Sequence, residues 1–186
     1  LQKNILVMVN FIVQDDYLLS KEQCDSIIEW TFSNKEFTEG EEYSGYQFCE
    51  LMDYGGSFHN DLSPPALFPI KNAIDTLLDS YQKEYSECTR MNHWELEHIR
   101  FQWWKPGRFF NGFHSEHMKS QPYRVLVFLI YLSDNGCSTL FKRYDDVETK
   151  AGRGILFPAY FTHEHSGSPC KKGLDRYALT GYFSFT

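Results

Sequence analysis

The stretch FHSEHMKSQPYRVLVFLIYL, residues 113–132, sets His114, Glu116 and His117 directly before an almost unbroken apolar run. Of the 7 histidines, four fall in two tight clusters, His114 with His117 and His163 with His165. In an extended segment, residues two apart project from the same face, so His114 and Glu116 would enter one space together. An imidazole nitrogen and a carboxylate oxygen so placed can hold adjacent positions of a divalent metal. A third ligand must come from elsewhere, and His163 or His165 is the natural source. Two histidines and one carboxylate on one face of an octahedron leave three positions open for small molecules to bind and react. A lone H-x-E tripeptide carries little weight, because such triplets arise by chance and most His and Glu side chains are merely solvated.

The elements around these residues must therefore decide. At 186 residues the chain is expected to form one domain over 1–186, with residues 1–95 as helical and loop support and 96–186 as the barrel core. A chain of this length buries roughly 70% of its unfolded surface and holds a core without staples. The composition, 42% hydrophobic and 17% aromatic against 23% charged, is globular and rich in the large rings that pack on pleated faces. Cys24, Cys49, Cys88, Cys137 and Cys170 are odd in number and share no C-x-x-C spacing, which argues against a zinc ribbon or disulfide framework and fits a reducing cytoplasm. A net charge of -7 disfavours nucleic-acid binding, which needs a basic surface. No stretch reads as a membrane span. The apolar patch in LQKNILVMVNFIVQ is short and broken by Asn10, so a strand is expected there rather than a signal peptide. A chain that starts on Leu1 is expected to be trimmed from a longer one.

Residues 20–33 open with Ser20 and Gln23 in capping-box spacing and place Cys24, Ile27, Ile28 and Thr31 on one helical face. A second helix is expected over 66–88 after Ser63-Pro64-Pro65, with Ile70, Ile74, Leu77, Tyr81, Tyr85 and Cys88 in helical rhythm. Between them, 34–60 reads as loops with one or two short strands. Its rings Tyr43, Tyr46, Phe48, Tyr54 and Phe58 could fill a core, or with Glu36, Glu39, Glu41 and Glu42 could form a lid that favours a basic partner. From about residue 96 strands dominate: HIRFQWW, RVLVFLIYL, STLFK, GILFP, FTHEH and RYALTGYFSF. Turn signals at Lys105-Pro106-Gly107, Asp134-Asn135-Gly136 and Lys172-Gly173 divide them. Short strands so spaced imply a mostly β jelly-roll barrel with an N-terminal α-helical buttress.

The order of features then becomes specific. His114-Ser115-Glu116 is followed by Arg124, Tyr131-Leu132-Ser133, Gly136-Cys137-Ser138-Thr139-Leu140-Phe141, Phe157-Pro158, His165-Ser166-Gly167-Ser168-Pro169, Gly173 and Arg176. This resembles the 2-oxoglutarate and Fe(II)-dependent dioxygenases of the prolyl 4-hydroxylase-like group, over roughly residues 97–186. The resemblance implies a double-stranded β-helix and iron held by His114, Glu116 and His165. His165 is preferred to His163 because the H-x-G-x-P pattern begins there and the basic residue follows about ten positions later. Arg176 would clamp the distal carboxylate of 2-oxoglutarate through two parallel charge-assisted hydrogen bonds. Tyr131 matches a position whose hydroxyl supports the same carboxylate. Trp104 stands where relatives often carry a tyrosine that touches the co-substrate, and its indole donates only through Nε1. Ala178 replaces a frequent serine, and Glu116 replaces the commoner aspartate.

The implied reaction is oxidative decarboxylation of 2-oxoglutarate to succinate and CO2 with O2, coupled to C–H hydroxylation; ascorbate is allowed as an accessory reductant. The carboxylate at Glu116 argues against a halogenase, which needs that position vacated. Three functions stay open on these grounds. They are a hydroxylase of a peptidyl or amino-acid-like small-molecule substrate, an oxidative nucleic-acid dealkylase, and a cupin-like protein that binds a metal or small ligand without turnover.

Overall fold

The computed structural model describes residues 9–40, 45–53, 57–90, 94–171 and 173–185. Its elements in chain order are β1 (Val13–Asp15), α1 (Lys21–Asn34), β2 (Thr38–Glu39), β3 (Tyr46–Met52), α2 (Phe58–Asp61), α3 (Phe68–Glu84) and β4 (Trp94–Trp104). There follow β5 (Arg124–Tyr131), β6 (Ser138–Phe141), β7 (Val147–Glu148), β8 (Gly154–Pro158), β9 (His165–Gly167) and β10 (Arg176–Phe185).

The start of α1 follows from its sequence. Ser20 Oγ accepts from the Gln23 N–H at 3.2 Å, and Gln23 Oε1 accepts from the Ser20 N–H at 2.8 Å, so two donors that the helix leaves unpaired are satisfied reciprocally. Cys24, Ile27 and Thr31 are buried, while Ile28 is half-buried. Ser20→Ala is expected to cost about 1 kcal/mol. Urea unfolding should register this as a lower midpoint at unchanged slope; an unmoved midpoint would show that packing alone holds the helix start.

Helix α3 is shorter than its periodicity predicts. It buries Ile70, Ala73, Ile74, Leu77 and Tyr81 and ends at Glu84, because Tyr85 leaves helical geometry with φ −119° and ψ 67°. The chain then tightens into a 3-10 turn over Ser86–Arg90, which leaves Tyr85 and Cys88 half-buried.

All strand pairs are antiparallel, in a seven-stranded sheet of order β1-β8-β5-β10-β4-β3-β2 and a three-stranded sheet of order β7-β6-β9. Strand β5 explains why RVLVFLIY lacks polar alternation. Leu126, Phe128 and Ile130 pack outward under Ile27, Ile74 and Leu77 of the helices. Val127, Leu129 and Tyr131 point inward, into a second core with Phe157 of the neighbouring β8 and with Phe141 and Val147 of the three-stranded sheet. A strand covered on both faces reads as a continuous apolar run. This is the mostly β jelly-roll with a helical buttress that the pattern implies.

One local expectation is extended and two change. Residues 34–60 hold the two strands expected, and β3 goes further than a short strand in a loop, pairing along β4 to extend the large sheet with Tyr46, Cys49, Leu51 and Met52 buried. Glu41, Glu42, Tyr43 and Tyr54 lie outside the described residues. FTHEH is not one strand: Phe161–His163 forms a 3-10 turn, and only His165–Gly167 is extended. Of the N-terminal patch, pairing is confined to β1, and residues 1–8 lie outside the described residues. The first half of the chain thus supplies three strands as well as helices. Among the described residues no helix is long and apolar enough to cross a membrane.

Candidate metal centre

His114, Glu116 and His165 converge, each offering a ligand atom, with all three atoms within 4.8 Å of one another. Convergence rests on backbone pairing. The His114 N–H donates to His165 O at 3.1 Å and the His165 N–H to His114 O at 3.0 Å, which sews the segment before β5 onto β9. The Glu116 and His117 N–H groups both donate to Ala159 O, at 3.0 and 2.9 Å. Residues 113–120 therefore hold only isolated bridges, His114 to His165 and Met118 to Gln121, rather than the strand expected from spacing, and Glu116 is aimed by the Ala159 anchor.

Each histidine is oriented by a carbonyl. His114 Nδ1 lies 3.1 Å from Gly112 O, and His165 Nδ1 lies 3.1 Å from His163 O. A carbonyl only accepts, so Nδ1 carries a proton in each ring, which leaves Nε2 as the nitrogen that a metal can claim by displacing any proton there. Burial, aided by the nearby His114, pushes His165 down to about 4, which keeps it neutral at physiological pH. Burial drives Glu116 upward, yet the hydrogen bond from His114 and the charges of His114, His165 and Arg124 outweigh it and hold the carboxyl below its usual value. An ionised carboxylate beside imidazoles deprotonated at Nε2 is the donor set a divalent cation binds.

The structure separates the two histidines that spacing left together. The His163 ring faces elsewhere: Nε2 meets Asn10 O at 2.7 Å, Nδ1 meets Thr162 Oγ1 at 2.9 Å, and the ring stacks on Tyr144. The two-apart rule for strands does not apply, because His163 sits in a 3-10 turn. It contributes to the centre through the carbonyl that orients His165. His117 also stands outside, with Nδ1 at 3.1 Å from Arg124 O and its ring against Tyr160.

The cluster lines a cavity of about 340 Å³ that Trp104, Thr139 and Arg176 also line. Arg176 is 4% exposed, its guanidinium lies 4.7 Å from the Trp104 ring centroid, and its Nε is buried without a hydrogen-bond partner among the described residues. Trp104 Nε1 is orphaned in the same way. Buried unpaired donors are costly, and a cation among them favours an anionic ligand. Tyr131 stands behind this wall: its hydroxyl donates to Thr139 Oγ1 at 2.7 Å, and Thr139 is what faces the cavity. Ala178 is buried and adds no polar group.

Sequence reasoning missed how Glu116 is held. Arg124 Nη1 donates to Glu116 Oε2 at 3.3 Å, while its Nε and Nη2 bind Glu97 at 3.0 and 2.7 Å. Ser184 Oγ donates to Glu97 Oε2 at 2.8 Å, and the Arg124 guanidinium sits 3.7 Å from the Tyr182 ring centroid. Arg124 was visible as a motif residue but without a role. Period two along known inward residues would have found other lining groups: Arg100 and Gln102 before Trp104, and Thr180 and Tyr182 after Arg176.

A family model described as the 2OG-Fe(II) oxygenase superfamily matches residues 100–184, which contain all three clustered residues and Arg176. Residues 100–184 carry a 2OG-Fe(II) oxygenase superfamily domain. The oxygenase is structurally similar to the collagen prolyl hydroxylase of Paramecium Bursaria Chlorella virus-1 in its 2OG complex, with TM-score 0.71 and 17% identity over 95% of this chain and 97% of that one. It is also similar to a Pseudomonas putida prolyl-4-hydroxylase, TM-score 0.66 and 17% identity over 96% and 94% of the two chains. A Trichoplax adhaerens prolyl hydroxylase, in complex with a hypoxia inducible factor oxygen degradation domain peptide fragment, gives TM-score 0.66 and 14% identity over 95% and 84%. No curated protein matches the oxygenase in sequence. The fold is thus the double-stranded β-helix, and the oxygenase is a 2-oxoglutarate-dependent dioxygenase whose cofactors are Fe(II), 2-oxoglutarate and O2.

Proposed function

We propose that this chain, acting as one domain, hydroxylates a C–H bond of a peptidyl or amino-acid-like substrate, with Fe(II) held by His114, Glu116 and His165. The observation that carries this reading is the convergence of those three residues in a cavity shared with a buried arginine that has an orphaned donor. The peptidyl class is supported by the names of the structural neighbours, one a collagen prolyl hydroxylase and one bound to a peptide fragment.

In this reading Arg176 binds the distal carboxylate of 2-oxoglutarate, Trp104 stacks on its guanidinium with an Nε1 that has no other partner among the described residues, and Tyr131 acts through Thr139. Bound together, the metal and 2-oxoglutarate supply oxidative decarboxylation to succinate and CO2 and deliver oxygen to the substrate C–H. The protein's part is positional. The Gly112 and His163 carbonyls fix the two imidazoles, and Arg124 occupies Glu116 Oε2 so that Oε1, 3.3 Å from His114 Nε2, is left toward the metal. A carboxylate held to one oxygen keeps the remaining positions open for co-substrate, as the facial arrangement requires.

Two outcomes are expected at Arg124. Arg124→Met should weaken metal binding by about 10–100-fold. It should also lower stability by about 3–5 kcal/mol, because Glu97 is left as an uncompensated buried charge. Adding Glu97→Gln should restore most of the stability and none of the metal affinity. Urea unfolding and titration with Co(II) read the two effects separately, and recovery of both together would reduce Arg124 to a structural role. The function itself is tested by a mass-spectrometric search for a product about 16 Da heavier among candidate peptides, the increment of one oxygen returned to a C–H. Succinate formed without any oxygenated peptide would contradict the peptidyl class.

A further inference from the structure

Two of the five cysteines meet in space. Cys137 immediately precedes β6, and Cys170 lies between β9 and β10, on the segment that links His165 to Arg176. Three hydrogen bonds clamp the two segments: Ser138 N–H to Ser168 Oγ at 2.7 Å, Ser168 N–H to Ser138 O at 2.9 Å, and Lys171 N–H to Asn135 O at 3.1 Å. Inside that clamp the Cys170 thiol donates to the Cys137 sulfur at 2.7 Å. Asn135 Oδ1 lies 2.9 Å from the Cys137 sulfur and also accepts from Thr149 Oγ1 at 2.8 Å, so the pair sits in a polar, ordered niche.

We propose that Cys137 and Cys170 are a disulfide-forming pair, oxidised by a peroxide, and that the bond staples the start of β6 to the segment between β9 and β10. The proposal does not depend on the metal reading. A disulfide needs two sulfurs that can close to bonding distance, and these already lie 2.7 Å apart between clamped segments. Reactivity favours the same pair. The hydrogen bond from Cys170, opposed by burial and helped by the charge of Arg176, holds Cys137 down to about 6, whereas burial pushes Cys24 and Cys49 up to about 11. The thiolate is the nucleophile. Cys137 is 1% exposed and Cys170 7%, so the pair is reached from the Cys170 side.

The chemistry balances with hydrogen peroxide as the oxidant. The Cys137 thiolate attacks one peroxide oxygen, an S–O bond forms as the O–O bond breaks, and hydroxide leaves. The Cys170 sulfur then attacks the Cys137 sulfenic sulfur. The S–S bond forms, the S–O bond breaks, and the departing hydroxyl takes the thiol proton as water. Overall two thiols lose two electrons and two protons, and one peroxide becomes two waters.

The site lies beside the cavity. Thr139 is two residues beyond Cys137, Gly167 is three before Cys170, and both line the cavity with Arg176. A staple there would hold the wall that carries Thr139 against the segment that carries Arg176.

The full chain, stripped of adventitious iron with a chelator so that metal and peroxide do not oxidise side chains at random, is treated with hydrogen peroxide and digested without reduction. The expected product is a peptide pair joined through Cys137 and Cys170, with a mass loss of about 2 Da on the intact chain that dithiothreitol reverses. Tm should rise by at least about 4 °C on oxidation and fall back on reduction. Cys137→Ser and Cys170→Ser should each abolish both effects, and Cys88→Ser should abolish neither. Oxygen additions at either cysteine in place of the joined pair, a pair formed through Cys88, or a joined pair with unchanged Tm would each overturn the proposal.

Discussion

Replacing His114 with alanine is expected to abolish Fe(II) binding and to lower 2-oxoglutarate-dependent succinate formation by at least about a thousandfold, on the scale on which metal catalysis contributes several kcal/mol to the barrier. The side chain is about a quarter exposed, and its backbone bonds to His165 do not involve the imidazole, so the fold should survive. The same substitution at His165 should remove metal binding equally, with a larger loss of stability because that ring is buried against Phe141 and Phe157. His163→Ala makes the decisive contrast. Its ring bonds to Asn10 and Thr162, so removing it should destabilise the chain by severing a buried bond while leaving metal affinity within a few fold. Isothermal titration with Co(II) or Fe(II) separates these cases. Equal loss of metal at His163 and His165 would show that the ligand set is misassigned.

Arg176→Ala is expected to raise the 2-oxoglutarate requirement by about a hundredfold or more, since two charge-assisted hydrogen bonds are each worth roughly 1.5–3 kcal/mol. The iron requirement should stay near its original value, because the metal depends on the clustered His114, Glu116 and His165, of which Arg176 is not one. Arg176→Lys should recover part of the loss through charge without the planar fork. In the parent chain, 2-oxoglutarate with a metal should raise Tm by mass action, and Arg176→Ala should lose that rise. Parallel increases in both requirements would contradict the clamp.

What the sequence showed in advance follows from how local each signal is. The α1 cap lies within Ser20 and Gln23, and the apolar run of β5 is itself the mark of a strand covered on two faces, so both could be read without knowing what they touch. The H-x-E pair and the H-x-G-x-P segment were legible for the same reason. What stayed hidden was set by distant partners. Strand β3 is fixed by pairing with β4 some fifty residues later, and Arg124 takes its meaning from Glu97 and Glu116 together. FTHEH misled because its residues suit a strand, whereas the chain must turn at Phe161–His163 before β9 can pair with β6. Five cysteines without spacing gave no hint that Cys137 and Cys170 would meet, since they are 33 positions apart and are brought together by the clamp at Ser138–Ser168 and Asn135–Lys171.

The central claim is that His114, Glu116 and His165 hold Fe(II) beside a 2-oxoglutarate bound by Arg176. It is tested most directly by adding Fe(II) and 2-oxoglutarate to the full chain without oxygen and recording the visible spectrum. The expected result is a weak charge-transfer band that needs both additions, survives His163→Ala and vanishes in His114→Ala. No band at saturating concentrations, or a band that persists in His114→Ala, would contradict the account.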